Sequence, residues 1–335
     1  MIRVGIIGLG MMGRCHLAGW EKAEGAEVVA VADSDPKRAS GDLSGGWGNI
    51  DADAKTIDME KITGTTDPRE LIVMENVDVV DVCVPTPFHA DLAIAALEAG
   101  KHVVCEKPLA RTFADAQRIA AAAAASPGMF MPGMCIRFWP QYKWLKYAVE
   151  SGEYGKVLGA TFRRVGSMPP GWFSNAEMSG AAALDLHLHD TDFVQYLFGM
   201  PKTVVSCGYS KTTDGVDHIV TRYVYDDIPL VVAEGAWCMA DAFGFNMSYC
   251  VNFENATADF DFSRGENPLL LSVGGQQQMI TCAGSDGYEG ELAYFAECIT
   301  AGTPPTIVTA EQAAESIRIV EAEVASVESG ASVEL

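Results

Sequence analysis

The sequence predicts an α/β fold in two parts. A doubly wound parallel sheet comes first, and an α/β domain with a large, mostly antiparallel open sheet follows. Three observations predict this. Up to about residue 135, short apolar runs alternate with helix-like stretches, the pattern of strands crossing over through helices. A glycine-rich loop joins the first run to the first helix. Beyond residue 200, long strand-like segments succeed one another with only turn chemistry between them.

The first run, Val4-Gly5-Ile6-Ile7, leads into Gly8-Leu9-Gly10-Met11-Met12-Gly13 and a helix ending near Gly25. This is the Rossmann dinucleotide fingerprint in its required strand–loop–helix context. Gly8 makes the tight turn, Gly10 leaves the backbone open to a pyrophosphate, and Gly13 lets the helix pack close. The free N–H groups and dipole of the helix start suit phosphate. The second run, Val28 to Ala32, ends in Asp33. A carboxylate there accepts from a ribose and repels a 2′-phosphate, favouring NAD over NADP. Lys37 and Arg38 lie just beyond and keep NADP open.

Pro36 begins a weaker helix, and residues 40–66 read as an irregular excursion with one short strand. Asp67-Pro68-Arg69-Glu70 is a helix start with Asp as cap and Pro in the first position. Val77 to Val84 and His102 to Cys105 read as buried strands, and Phe88 to Glu98 and Thr112 to Ala125 as helices. Met129 to Cys135 adds a last strand, giving a first domain of 1–135 and a second of 136–335.

In the second part, Trp144 to Ser151 reads as a helix, Gly155 to Gly166 as a strand and Leu184 to Phe198 as a helix. Seven strands are expected at 202–210, 216–226, 229–238, 246–254, 257–262, 268–273 and 277–282. Helices at 184–198, 288–301 and 309–328 would cover one face of that sheet. The other face, expected to carry Tyr223, Tyr225 and Phe253, would be buried in a homodimer or homotetramer.

The net charge of −22, acidic in both halves, argues against nucleic acid or membrane surfaces as partners. No apolar run is long enough to span a membrane. The glycine loop begins at Gly8 with no cleavable leader before it. The nine cysteines include no C-x-x-C pair, and Cys83, Cys105 and Cys250 sit in apolar runs. Buried reduced thiols in a cytoplasmic setting are expected, with no metal.

Three clusters carry candidate chemistry. Pro85-Thr86-Pro87-Phe88-His89 follows a parallel strand, where open α/β sheets bind ligands. The prolines would stiffen a floor under the cofactor, with His89 more a structural helix residue than a catalyst. Glu106-Lys107-Pro108 follows the next strand, and a lysine there can reach both a nicotinamide and a substrate oxygen. Asp185 and His189, four apart, share a helix face, so the carboxylate can orient the imidazole. His187 points elsewhere, making a poor metal pair with His189. Trp172, beside Phe173 in a Pro-Pro-Gly loop, Trp139 and Tyr142 offer aromatic faces that suit stacking on a substrate or ordinary core packing equally, and Arg163 offers an oxygen contact.

The sequence resembles the glucose–fructose oxidoreductase and inositol dehydrogenase (Gfo/Idh/MocA) family. The matching residues are the glycine loop with His16, Thr86-Pro87 with His89, Glu106-Lys107-Pro108, and Arg137-Phe138 followed by Pro140. Asp185, His189 and Asp192 continue the match to Gly199, and Tyr288-Glu289, Phe295 and Gly302 complete it. The resemblance implies an NAD(P)-dependent oxidoreductase acting on a hydroxyl of a sugar or cyclic polyol. Lys107 would be its catalytic lysine, with Asp185 and His189 the catalytic pair. The implied cofactor contacts are Gly8, Gly10, Met11, Met12, Gly13, Asp33, Ser34, Pro85, Thr86, Pro87, His89, Glu106 and Lys107. Substrate contacts would come from Lys107, Arg163, Trp172, Asp185 and His189. Two other activities fit the same residues: a glycosidase working by transient oxidation with NAD, and a non-catalytic NAD-binding regulator. Ser179-Gly180-Ala181 and His187 stand where many members of that family carry further glycines, which bears on substrate identity.

Overall fold

The computed structural model describes residues 1–44, 56–266 and 268–335. The chain divides into two compact units, Met1–Phe138 with Ser285–Ala314, and Trp139–Gly284 with Glu315–Leu335.

The first unit alternates strand and helix as its sequence pattern requires. Its elements are β1 (Ile2–Ile7), α1 (Met11–Lys22), β2 (Ala26–Ala32), α2 (Pro36–Ala39), β3 (Thr63–Thr65) and α3 (Pro68–Ile72). They continue with β4 (Val79–Val82), α4 (His89–Glu98), β5 (His102–Glu106), α5 (Phe113–Ala125) and β6 (Phe130–Gly133). The sheet order is β3-β2-β1-β4-β5-β6, all pairs parallel. Strand order reverses beside β1, which puts the ligand crevice at the carboxyl ends of β1 and β4. The central strands are almost wholly buried, which is why they read as nearly continuous apolar runs, broken only by Arg3 and Asp81. Helix starts follow the capping residues: Asp67 accepts from the Arg69 N–H and Thr112 from the Asp115 N–H. Part of the expected excursion, residues 45–55, lies outside the described residues.

The second unit contains α6 (Pro140–Ser151), β7 (Val157–Gly166), the short α7 (Ala176–Ser179) and α8 (Leu188–Phe198). Strands β8 (Thr203–Tyr209), β9 (His218–Val224), β10 (Leu230–Ala236), β11 (Phe245–Phe253), β12 (Ala256–Asp261), β13 (Leu269–Val273) and β14 (Gln276–Met279) follow. Helices α9 (Gly287–Ala301) and α10 (Ala310–Ser329) and a terminal β15 (Val333–Glu334) complete the chain. The nine-stranded order is β14-β13-β12-β11-β7-β10-β9-β8-β15. Only β7 and β10 pair in parallel. The inner face is aromatic: Phe162, Tyr249 and Phe260 pack with Tyr142 of α6 and Phe193 of α8.

Three expectations need correction. Tyr223 and Phe253 lie on the buried inner face, since the strands run one residue out of the expected phase. The outer face carries Val205, Arg222, Leu230 and Cys250 instead, so the Cys250 thiol is exposed. The 288–301 helix belongs to the first unit, where Leu292 meets Gly19 of α1. All nine cysteines are free, and no described helix is long and apolar enough to cross a membrane.

Candidate active site

The first unit gathers its chemistry at the carboxyl ends of four parallel strands. Gly8 follows β1 with φ +93°, and a Cβ there would sit 2.6 Å from the Cys83 carbonyl oxygen. A Cβ on Gly13 would come within 1.8 Å of the Gly8 carbonyl oxygen, so only glycine lets α1 start this close to the strand. A Cβ on Gly10 would meet nothing within 4 Å. The loop is therefore closed at two glycines and open at the third, where a pyrophosphate must approach. Gly10 caps α1 without a side chain, which leaves the first N–H groups of the helix for an anion. Met11 and Met12 are half-buried at this start. Asp33 follows β2 and is 9 % exposed. It receives the Leu9 N–H at 2.7 Å and the Asp35 N–H at 2.8 Å, so the acid and the glycine loop hold each other. Each oxygen keeps a lone pair for a ribose hydroxyl. Ser34 is exposed beside it, and the Arg38 guanidinium lies 3.7 Å from the carboxylate. These residues fit a dinucleotide with an unphosphorylated ribose.

After β4, Pro85 starts a short turn with Thr86 buried and Pro87 exposed. His89 is buried. Its Nδ1 lies 2.8 Å from the Pro108 carbonyl and its Nε2 2.7 Å from the Val84 carbonyl. It thus straps the turn after β4 to the loop after β5, and burial pulls its pKa down. Glu106 ends β5 and is buried, while Lys107 beside it is half-buried. The Lys107 N–H donates to Glu106 Oε2 at 2.8 Å. The Lys107–Pro108 bond is cis.

In the second unit the segment carrying Asp185 is not a plain α-helix. Residues Ala183–His187 form a π-helical turn that passes into α8 at Leu188. Such turns concentrate at functional sites. Ala181, just before it, has φ +57°, a left-handed conformation that favours glycine. Asp185 is buried at 8 % exposure and His189 is half-buried on the same helical segment. His187 is fully buried against Gly235, with Nε2 3.4 Å from both Tyr223 Oη and Glu323 Oε2. Asp190 pairs with Arg164 at 3.0 Å, and the Ser316 hydroxyl donates to Asp192.

Among the aromatic candidates, Trp172 is half-buried and stacked on Phe173 at 4.1 Å. Tyr142 is core, and Trp139 packs edge-on to Phe262. Arg163 alternates with the inward-facing Phe162 and Arg164, so it lies on the sheet face away from α8. Glu234 holds its guanidinium there at 2.9 Å. Sequence reasoning missed a buried cluster behind the lysine loop: His16, Asp81, Cys83, Glu106 and Glu291. An aspartate inside the otherwise apolar run Val79–Val82 was the available sign.

The open glycine loop, the acid on β2 and the strand order define the first unit as a dinucleotide-binding domain. Residues 2–134 match the model of an oxidoreductase family with an NAD-binding Rossmann fold, and residues 142–259 match the GFO/IDH/MocA C-terminal domain. The chain belongs to the Gfo/Idh/MocA oxidoreductase family. It is 34% identical over 200 residues to a myo-inositol 2-dehydrogenase of Thermotoga maritima. That stretch is 59% of this chain and 55% of the other, little more than half of its length. An inositol 2-dehydrogenase of Paenarthrobacter aurescens is 28% identical over 342 residues, covering 98% of this chain and 96% of its own. A solved levoglucosan dehydrogenase in complex with NADH and L-sorbose has the same fold, with TM-score 0.85 and 21% identity. That match covers 100% of this chain and 98% of the other.

Proposed function

We propose that this protein is an NAD-dependent dehydrogenase that oxidises a secondary hydroxyl of a sugar or cyclic polyol, the inositols first among candidates. The observation that carries the reading is the open Gly10 approach beside Asp33, in a chain of this family that also bears Lys107, Asp185 and His189. When bound, the nicotinamide accepts the hydride from the carbinol carbon. The remaining work falls to the protein. Loss of hydride without loss of the hydroxyl proton would leave a high-energy protonated carbonyl. His189 takes that proton, and half-exposure leaves its ring accessible. Asp185, buried in the π-turn, orients the ring and stabilises its charged form. Lys107 donates a hydrogen bond to the same oxygen and stabilises the developing alkoxide. Glu106 fixes the Lys107 backbone, and Trp172 offers its face to the ring of the substrate.

Lys107→Ala and His189→Ala should each lower kcat by ~10²–10⁴ while NADH binding persists. Stopped assays on a panel of inositols, aldoses and anhydrosugars measure this, and near-parental turnover in both variants would remove the assignment. Accumulating NADH with a free polyol supports the dehydrogenase. Cleavage of an aryl glycoside with no net NADH would instead support the transient-oxidation glycosidase. Self-association through the outer face of the second sheet, where Val205 and Leu230 are exposed, belongs to the same reading.

A further inference from the structure

We propose that His16, on the helix that follows the glycine loop, is a positioning residue for Lys107, acting through Glu106. The inference rests on the reading of Lys107 as donor to the substrate oxygen.

The geometry is a chain of contacts inside the first unit. His16 is completely buried on α1. Its Nδ1 lies 2.9 Å from Asp81 Oδ2, and its Nε2 lies 2.9 Å from Glu106 Oε1. Carboxylate oxygens only accept, so both ring nitrogens must donate and the ring is an imidazolium. Trp20, one turn further along α1, donates its indole N–H to Asp81 at 2.7 Å, and Cys83 lies 3.3 Å from the same carboxylate. On the other side, Glu106 Oε2 accepts the Lys107 N–H. Glu106 is therefore held at both oxygens, one by the imidazole and one by the residue it orients. A rotation about its side chain breaks one bond or the other.

Every group facing the imidazole fits this reading. Burial opposes its charge most strongly, but Asp81 and Cys83 together more than offset burial and leave the pKa well above its ordinary value. The neighbouring thiols Cys15, Cys83 and Cys105 are pushed up by burial, so they stay neutral. Glu291 of α9 is fully buried 3.8 Å from Nε2, with neither carboxyl oxygen hydrogen-bonded. Burial and the nearby Glu106 push its pKa up, so it also stays neutral. It therefore leaves the imidazolium to Glu106. An apolar residue would fill the space at position 16 with less desolvation. The charged ring adds direction: it joins the helix whose first turn faces the phosphates to the loop that carries the lysine.

The test is a double-mutant cycle in the full chain, with kcat and NADH affinity measured separately. His16→Ala should lower kcat by about 10²-fold, the scale of a small misplacement of a reacting group, with NADH affinity unchanged. His16→Gln keeps one donor toward Glu106 and should recover part of that loss. In a Lys107→Ala background, His16→Ala should add almost nothing. If the two losses multiply, or if NADH affinity falls in step with kcat, His16 is structural and the proposal fails. If Lys107→Ala itself leaves kcat intact, the parent reading fails instead. Nitrogen NMR of the ring, assigned by its absence in His16→Gln, needs no activity. Two protonated nitrogens are expected at neutral pH, above the ordinary imidazole range, and a neutral ring there would overturn the proposal even where His16→Ala does not fold.

Discussion

Asp190 offers a demanding test of how the second unit holds its functional helix. It is the residue after His189, fully buried, and its oxygens lie 3.0 and 3.3 Å from Nε and Nη2 of Arg164 on β7. The Arg164 side chain is only 3% exposed. The same guanidinium also reaches a Met247 sulfur at 3.3 Å and the Tyr142 hydroxyl at 3.4 Å, neither of which carries a charge. Asp190→Ala therefore strands a guanidinium charge between sheet and helix without its carboxylate. Breaking a buried pair from one side costs about 3–5 kcal/mol. For a unit of this size each kcal/mol lowers Tm by about 2–4 °C, so the expected fall is about 6–20 °C. Calorimetry is the assay of choice, because two units need not melt together. Arg164→Met alone should be comparably damaging. Arg164→Met combined with Asp190→Leu should lose much less than the sum, because no uncompensated charge remains. An Asp190→Ala protein melting within about 2 °C of the parent would refute the argument, since the pair would then contribute no more than a surface ion pair.

Two other outcomes follow from named contacts. Asp217 is worked on by burial, which opposes its charge, but it accepts from the Lys211, Thr212 and Thr213 backbones, the Thr213 hydroxyl and the Trp237 indole. The carboxyl is held at about 2 against an ordinary 3.8. Its folded-state value is depressed, so its stabilisation is present above 3.8 and is lost as pH falls toward 2. The Tm deficit of Asp217→Asn should thus shrink across that window, and a deficit constant with pH would contradict the assignment. On the outer sheet face, Val205→Lys with Leu230→Lys should shift the protein to monomer in sedimentation velocity; a parent that already sediments as a monomer would end the self-association reading.

Most of the first unit was legible because its signals are local. A buried parallel strand needs an apolar run, a tight turn against a pyrophosphate needs glycine, and an exposed helix start needs a cap. Gly13 could be read from spacing alone, although the clash it avoids involves an oxygen five residues back. The phase of the second sheet was harder. Tyr223 is apolar enough for either face, and what places it inside is a hydrogen bond with Thr191 on α8. That contact joins residues far apart in sequence and leaves no periodic trace. The return of 285–314 to the first unit was invisible for the same reason: Leu292 of α9 and Gly19 of α1 meet within that unit although they lie far apart in sequence. Glu106 was legible as a motif residue, but its partner His16 sits 90 positions away.

The helical segment that carries His189 buries polar side chains on more than one side. Asp185, His187, Asp190, Thr191 and Asp192 are all nearly or fully buried. A helix with an apolar stripe can turn a few degrees in its groove and lose little, because dispersion contacts have no direction. This one cannot. Asp190 must meet Arg164, Thr191 must meet Tyr223 and Glu323, and Asp192 must meet Ser316, each through a directed bond. These partners stand on β7, β9 and α10, so together they fix rotation and translation at once. His189 directly precedes these three fixed residues and inherits their orientation. The π-turn adds the remaining adjustment, setting Asp185 by its own geometry rather than by that of an α-helix. The base proposed at His189 would need this angular precision to meet a hydroxyl within hydrogen-bonding reach more than it would need stability. Buried polar contacts supply it at a cost in desolvation that apolar packing would not incur.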